Sequence, residues 1–294
     1  MEPRRDLIEW RGVPHLSKGE PLPLIPPGYV LLRVLYAAWT GVEEAARCQR
    51  VLPQRGIVMG FTGAGRPLEA ASAAAPPYLL AAPVKVTDSW LPGIWSDGWL
   101  AGYTVAPLEV LEEAPASPLA ALSLPFSLAC HVVSLMEEEG ASSLLVLGGG
   151  ASGHAAAVLA SSLGFRTVLY TRKKLRCHTA CAVQGSVPST GFDTVYAAYP
   201  DAALVEDVLR RVKPRLLVLH PLVSVRLGWS TARHRVTMSR VTGLGGGCWR
   251  RLLRLYEEQY GGRYVLYTEG LMVPPPLGDE KVAYVFRLGA QPAS

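Results

Sequence analysis

Leu144–Leu159 reads LLVLGGGASGHAAAVL, and this stretch decides the fold. Its first four residues belong to an apolar strand over Ser143–Leu147. Gly148, Gly150 and Gly153 follow in the spacing G-x-G-x-x-G, and small residues then carry a helix over Gly153–Leu163, closed by Gly164. Each glycine has its own physical reason. The first makes the strand-to-helix turn, the second lets the backbone approach a pyrophosphate, and the third lets helix and strand pack closely. Phosphates would sit on free N–H groups at the helix N-terminus, where the helix dipole favours negative charge. A lone G-x-G-x-x-G is weak. Here strand, motif, small-residue helix and a second strand at Thr167–Thr171 come in the required order. The stretch predicts a Rossmann unit with a bound dinucleotide. The plainer alternative is a unit that keeps its glycines for packing alone.

The end of the second strand is where an adenine ribose would be read. NAD binders place an acidic residue there. This chain has Tyr170-Thr171-Arg172-Lys173-Lys174, with Arg176 beyond and no carboxylate. Arg172 and Lys173 would stabilise a 2′-phosphate through charge-assisted bonds. Thr171 stands at the strand end beside them. The cofactor is therefore read as NADP, with NAD as the alternative; a solvated cationic loop is the plainer reading.

Outward from the motif, strands at Asp193–Ala197, Arg215–His220 and Val236–Thr242 alternate with helices at Leu204–Val212 and Cys248–Gln259. A helix over Leu119–Glu139, interrupted at Pro125, precedes them. Such alternation predicts a parallel, doubly wound sheet in an α/β protein. The first 115 residues differ. A strong strand at Tyr29–Ala37, a short polar helix at Gly41–Cys48, a strand-turn-strand at 56–66 and short strands near Tyr78–Val86 and Gly102–Leu111 predict a small β-rich domain. Residues 1–28 read as an irregular opening strand. After Gly262 the segments RYVLYTEG and KVAYVFRL return to strand character.

Composition fits two domains. The chain has 294 residues, 49% hydrophobic and 18% charged, enough apolar matter for a sizeable core and too much for disorder. MEPRRDLIEW lacks a signal-peptide apolar run, and the longest apolar stretch, Ser142–Leu163, is broken by glycines and His154, so no membrane partner is expected. The five cysteines (Cys48, Cys130, Cys177, Cys181 and Cys248) have no repeated spacing, which reads as a cytoplasmic chain without a disulfide framework. A net charge of +5 permits anionic ligands without requiring them. The chain has no Asn at all. Depletion of thermolabile residues points to a thermophilic source, although GC-rich coding would give the same bias.

Taken in order, these segments resemble the medium-chain dehydrogenase/reductase family, the zinc-type alcohol dehydrogenase and quinone reductase group. PPGYVLLRVLYAAWTGVEEA is similar to the family's opening strand and turn, GIVMGFTGAGR to its glycine-rich "GHE-x-x-G" segment, and SDGWLAGYTVAP to its "GGFAEY" segment. GFDTVYAAYPDAALVEDVLRRVKP is similar to its fourth strand and helix. The resemblance implies a GroES-like domain over 1–115, completed by 263–294, and a Rossmann domain over 116–262. It also implies hydride transfer to a small molecule, and a homodimer paired through the Rossmann sheet edge. Zinc-dependent members supply a Cys, a His and a third Cys, Asp or Glu at positions matching Thr40, Phe61 and Leu124. None of these side chains makes a normal zinc-site bond, so no zinc is expected. Nor does the chain match the zinc-free branch, which often uses an Asn in the first turn.

Three side chains are candidates at the hydride end. Thr40 could position a substrate carbonyl or simply fill space. His220, at a strand end, could serve as a general acid or be bonded to backbone. Tyr199 could donate to a substrate oxygen or crowd the nicotinamide site. His154, at the start of the phosphate-side helix, is expected to touch phosphate or face solvent, and His131 to be a satisfied core or interface residue. Trp90, Trp95 and Trp99 read as packing residues. Arg226, Arg233, Arg235 and Arg240, with Trp229 and His234, form a basic patch; a solvated face or subunit contact fits it better than nucleic acid. Two functions stay open: a zinc-independent, NADP-preferring reductase of a carbonyl or activated alkene, and a non-catalytic relative acting as sensor or assembly subunit. A pocket plugged by Trp39, Phe61 or Tyr199 would favour the second.

Overall fold

Strand-forming residues in the first third of the chain gather on one long strand. In the computed structural model, which describes residues 4–70, 78–176, 181–184, 186–188, 191–223 and 236–288, β1 (Arg4–Trp10) and β2 (Pro14–Pro21) form an antiparallel hairpin. β3 (Tyr29–Trp39) leads into helix α1 (Gly41–Arg47). β4 (Thr62–Ala70), β5 (Ala81–Pro83), β6 (Tyr103–Pro107) and β7 (Leu111–Glu113) follow, with β4 and β6 both antiparallel to β3. The opening segment is thus a paired hairpin and not the irregular strand expected from its charges. The reason is Arg5, which is buried: its guanidinium donates to the carbonyls of Pro21 and Tyr103 and pairs with Asp97 at 3.5 Å.

From α2 (Ser123–Glu138) onward the order is β8 (Ser143–Leu147), α3 (Ala151–Ser162), β9 (Arg166–Tyr170), β10 (Cys181–Gln184), β11 (Thr194–Ala197), α4 (Ala202–Val212), β12 (Leu216–Leu219), β13 (Thr237–Arg240), α5 (Gly247–Gln259) and α6 (Gly261–Tyr264). The six strands form one parallel sheet in the order β10-β9-β8-β11-β12-β13. The order reverses between β8 and β11, which opens a crevice at the strands' carboxyl ends. β8, β11 and β12 are buried at every residue, as parallel strands covered on both faces must be. β14 (Val265–Glu269) and β15 (Ala283–Arg287) then return to the first sheet, where β15 lies antiparallel to β3 with Tyr284 opposite Trp39.

The helical run Pro118–Glu138 is long and apolar enough to cross a membrane, yet 83% of its most apolar window is buried inside the protein; it is the central core helix. The reading of the cysteines needs correction. Cys130 on α2 and Cys248 on α5 are disulfide-bonded, with Cα atoms 6.1 Å apart. Spacing along the chain gave no hint of this, because 118 residues separate them and only helix packing brings them together. Cys48 is a free, exposed thiol, and Cys177 lies outside the described residues.

Candidate functional site

The turn after β8 leaves no room for side chains. Gly148 has φ +112°, and a Cβ there would lie 2.7 Å from the Cβ of Tyr199. A Cβ on Gly153 would overlap the Gly148 carbonyl oxygen, so α3 is pressed against the turn. Gly149, to which the sequence reading gave no role, is as restricted: a Cβ would meet Thr171 Oγ1 at 2.5 Å. Gly150 differs. Its nearest neighbour would be Gly41 Cα at 3.8 Å, across the cleft. It is also the N-cap of α3, and no side chain caps that helix end.

A cavity of about 390 Å³ lies along this turn. Gly148, Gly150, Thr171, Arg172, Lys173, Thr40 and His220 all line it, whereas Gly153 sits behind the turn. Sheet order sets its two ends: the residues after β9 lie on one side of β8, those after β11 and β12 on the other.

At the β9 end the two cations have different partners. Lys173 is turned aside, its Nζ donating to the Lys281 carbonyl at 2.5 Å, and burial lowers its pKa. Arg172 is exposed and makes no ion pair among the described residues. The loop is fastened further by Lys173 N–H to Thr171 Oγ1, Lys174 N–H to the Asp279 carbonyl, and Arg176 N–H to Tyr264 Oη. His154 belongs to the same support and neither faces solvent nor touches the cavity. It is fully buried, with Nδ1 2.5 Å from Tyr256 Oη and Nε2 2.7 Å from the Arg176 carbonyl. Burial holds its pKa down at about 4, so the ring is neutral, with Nε2–H donating.

At the other end Thr40 caps α1, accepting from the Val42 N–H at 3.2 Å. Behind it lies Glu43, which sequence reasoning passed over inside a "polar" helix. Glu43 is 2% exposed. Its Oε2 accepts from Thr40 N–H at 2.6 Å and lies 2.8 Å from Thr40 Oγ1, while Oε1 accepts from Phe61 N–H at 2.6 Å. The signal was present as Thr40-x-x-Glu43, a capping box. Phe61 packs on His220, ring centroids 5.6 Å apart. His220 is buried, its Nδ1 accepts from the Leu222 N–H at 3.3 Å, and desolvation drives its pKa down to about 3. His220 is thus bonded to backbone, the plainer of its two readings; with Nδ1 accepting, a neutral ring carries its hydrogen on Nε2.

Other side chains frame the cavity. Arg50 spans it, pairing with Asp201 at 3.5 Å and lying over the Tyr199 ring at 5.8 Å. Trp39 is buried away from it, bonded to Glu44. At the positions matching zinc ligands, Thr40 is bonded as above, Phe61 is a wall, and Leu124 is buried with Pro125 lining the cavity in its place. Among the described residues no three His, Cys, Asp or Glu side chains gather as a metal site. His131 accepts from the Thr242 N–H through Nδ1 at 3.2 Å. Trp90 and Trp99 are buried as expected, but Trp95 is 62% exposed. Of the basic patch only Arg240 is described; Arg226, Trp229, Arg233, His234 and Arg235 lie outside the described residues.

No protein-family model matches the sequence, and a search of curated proteins finds no match. Solved structures do match. An acetophenone reductase from Geotrichum candidum, in complex with NAD, aligns with a TM-score of 0.71 at 15% identity over 98% of each chain. A thermostable alcohol dehydrogenase from Pyrobaculum aerophilum gives 0.69 at 17% identity, covering 97% of this chain and 100% of its own. The fold is that of the medium-chain dehydrogenases. A Sinorhizobium meliloti protein described as a zinc-binding dehydrogenase, bound to NADP, gives 0.68 at 18% identity over 98% and 100%. With identities this low, what is shared is the fold.

Proposed function

We propose that this chain is an NADP-preferring oxidoreductase that works without a catalytic zinc and passes hydride to a carbonyl or activated alkene of a small molecule. One observation carries the reading. The uncapped N-terminus of α3 opens, at Gly150, into a cavity at the point where the sheet order reverses. That geometry suits a pyrophosphate, because free N–H groups and the helix dipole both face the ligand and no Cβ intervenes. Gly148–Gly150 would hold the pyrophosphate and Arg172 the 2′-phosphate. The bound nicotinamide supplies the hydride chemistry. The protein's own part is orientation and exclusion of water. Phe61 and Pro125 give the substrate end apolar walls, and Thr40 and the Nε2–H of His220 are the groups that could orient an oxygen. The zinc-free reading rests on the hydroxyl, phenyl and isobutyl groups at Thr40, Phe61 and Leu124, which form no zinc donor set.

The test is a titration of the protein with NADPH and, separately, NADH, followed by energy transfer from its tryptophans. Saturable NADPH binding, weaker NADH binding, and loss of that gap in Arg172→Ala are expected. Failure of both nucleotides to bind would overturn the reading. The non-catalytic alternative has one observation in its favour, the Phe61–His220 ring contact at the substrate end. NADPH binding without turnover of aldehydes, ketones, quinones or enones would select it.

A further inference from the structure

Helix α1 ends in a turn whose closing residues are not those such a turn favours. Gln49 N–H donates to the Ala46 carbonyl and Arg50 N–H to the Ala45 carbonyl, both at 2.8 Å, which satisfies the last carbonyls in the Schellman pattern. That pattern puts the first residue past the cap in the left-handed region, where glycine is usual. It commonly packs an apolar side chain from the next residue back on the helix. Here Gln49 holds the left-handed conformation at φ +56° despite its Cβ. The next position belongs to Arg50, whose side chain lines the cavity instead.

The guanidinium so placed is loosely held. Its N–H groups make no hydrogen bond among the described residues; its contacts are the ion pair with Asp201 at 3.5 Å and the Tyr199 ring. A charge-assisted hydrogen bond would run at about 2.7–2.9 Å. Neighbouring cations are engaged: Lys173 with the Lys281 carbonyl, and Arg47 with the Pro274 carbonyl at 2.7 Å. Arg172 stands after β9. Arg50 lies on the opposite side of β8, against residues after β11, which is the side proposed for hydride transfer. Asp201 does not depend on Arg50 for its place. Its Oδ1 caps α4 by accepting from Leu204 N–H at 3.0 Å, so Arg50 can change partner while the helix end stays fixed. A planar guanidinium with free donors matches a carboxylate, which accepts parallel N–H bonds from it.

We propose that Arg50 determines substrate specificity: it leaves Asp201 for the carboxylate of the substrate, a carbonyl compound of the oxo-acid class. The proposal rests on the oxidoreductase reading and narrows its substrate. Asp201 holds the guanidinium until a stronger anion arrives. A neutral carbonyl compound leaves the pair as it is and gains nothing from Arg50. The new contact is made before and during hydride transfer alike, so it acts on KM.

The first measurement needs no turnover. Protein saturated with NADP+ is titrated by calorimetry with short alkyl and aryl oxo acids and with the matching oxo amides. The acids are expected to bind at least about tenfold tighter than the amides, and that gap to close in Arg50→Gln. Asp201→Asn keeps the α4 cap, since Asn caps as well as Asp, and is expected to tighten the acids about threefold. Equal binding of acids and amides, no binding of either, or a gap that survives Arg50→Gln overturns the proposal. So does a loss of about tenfold in NADPH affinity in Arg50→Gln with the gap intact, which assigns Arg50 to a cofactor phosphate. With NADPH, the preference in kcat/KM for an oxo acid over the matching methyl ketone is expected to fall about tenfold in Arg50→Gln, through KM and not kcat. Reduction of neutral ketones in preference to oxo acids sinks the proposal while the oxidoreductase reading stands. Failure to bind either nucleotide sinks both.

Discussion

The two ends of the cavity are built from different materials. At the end proposed to hold phosphate the surface is backbone. Gly148, Gly149 and Gly153 are fixed by what a Cβ would strike, and the N–H groups of α3 are fixed by the helix itself. At the end proposed for hydride transfer the surface is side chains: Thr40, Phe61, Pro125 and His220. A backbone site is bound up with the packing that makes the fold, so it cannot change without unfolding something. A side-chain site can be rewritten one residue at a time, which is why fold similarity speaks to the first end and is silent about the second.

The largest expected effect breaks the phosphate end into its two parts. Gly153→Ala forces a methyl into the Gly148 carbonyl and is expected to cost about 3 kcal/mol or more of stability, read by thermal or urea unfolding. Gly150→Ala meets only Gly41 Cα at 3.8 Å. It is expected to cost about 1 kcal/mol or less as a changed N-cap, yet to weaken NADPH binding at least about tenfold. Equal losses of stability in the two variants would mean that Gly150 is kept for packing.

Acid sharpens the comparison next, because each end has a buried neutral histidine. His154 supports the phosphate end with a pKa of about 4, and His220 lies at the hydride end with one of about 3. Both are below the ordinary 6.5, so the unfolded chain takes up protons that the folded one refuses. Stability is therefore full above pH 6.5 and falls as the pH drops, until it levels off near the folded values. Between pH 6.5 and 5, above most carboxylate titration, each histidine is expected to remove about 2 kcal/mol. His154→Phe and His220→Phe should each flatten urea-unfolding midpoints across that range. An unflattened profile in His220→Phe would show that water reaches the hydride end.

The smallest effect separates the two cations after β9. Arg172→Ala is expected to lower NADPH affinity about tenfold and leave NADH affinity unchanged, the worth of one solvent-screened charge-assisted contact. Lys173→Ala should weaken both nucleotides alike, because its ammonium is bonded to the Lys281 carbonyl and holds the loop in place. A selective loss of NADPH in Lys173→Ala would reverse these roles.

The same division governs what could be read from the sequence. The β8 turn was legible because its glycines, its apolar strand and its small-residue helix are all local. The buried strands β11 and β12 were legible as continuous apolar runs. What escaped depends on contacts distant in sequence. Arg5 reads as a surface charge until Pro21, Tyr103 and Asp97 close around it. His154 reads as a helix-start histidine near phosphate until Tyr256 and the Arg176 carbonyl take both its nitrogens. Lys173 reads as an open phosphate ligand, and the carbonyl that takes one of its hydrogens, that of Lys281, lies 108 residues away. Glu43 was within reach, since a Thr-x-x-Glu box is local, but one of its partners, the Phe61 N–H, comes from 18 residues further along the chain.

The Cys130–Cys248 bond has a topological consequence. All six strands of the parallel sheet, β8 to β13, lie between those two cysteines, so the sheet's polypeptide is a covalent ring. A single proteolytic cut anywhere within the ring opens it without detaching either piece. The nicked protein should migrate as one band until a reducing agent is added and as two bands afterwards. A cut outside the ring releases its fragment in either condition.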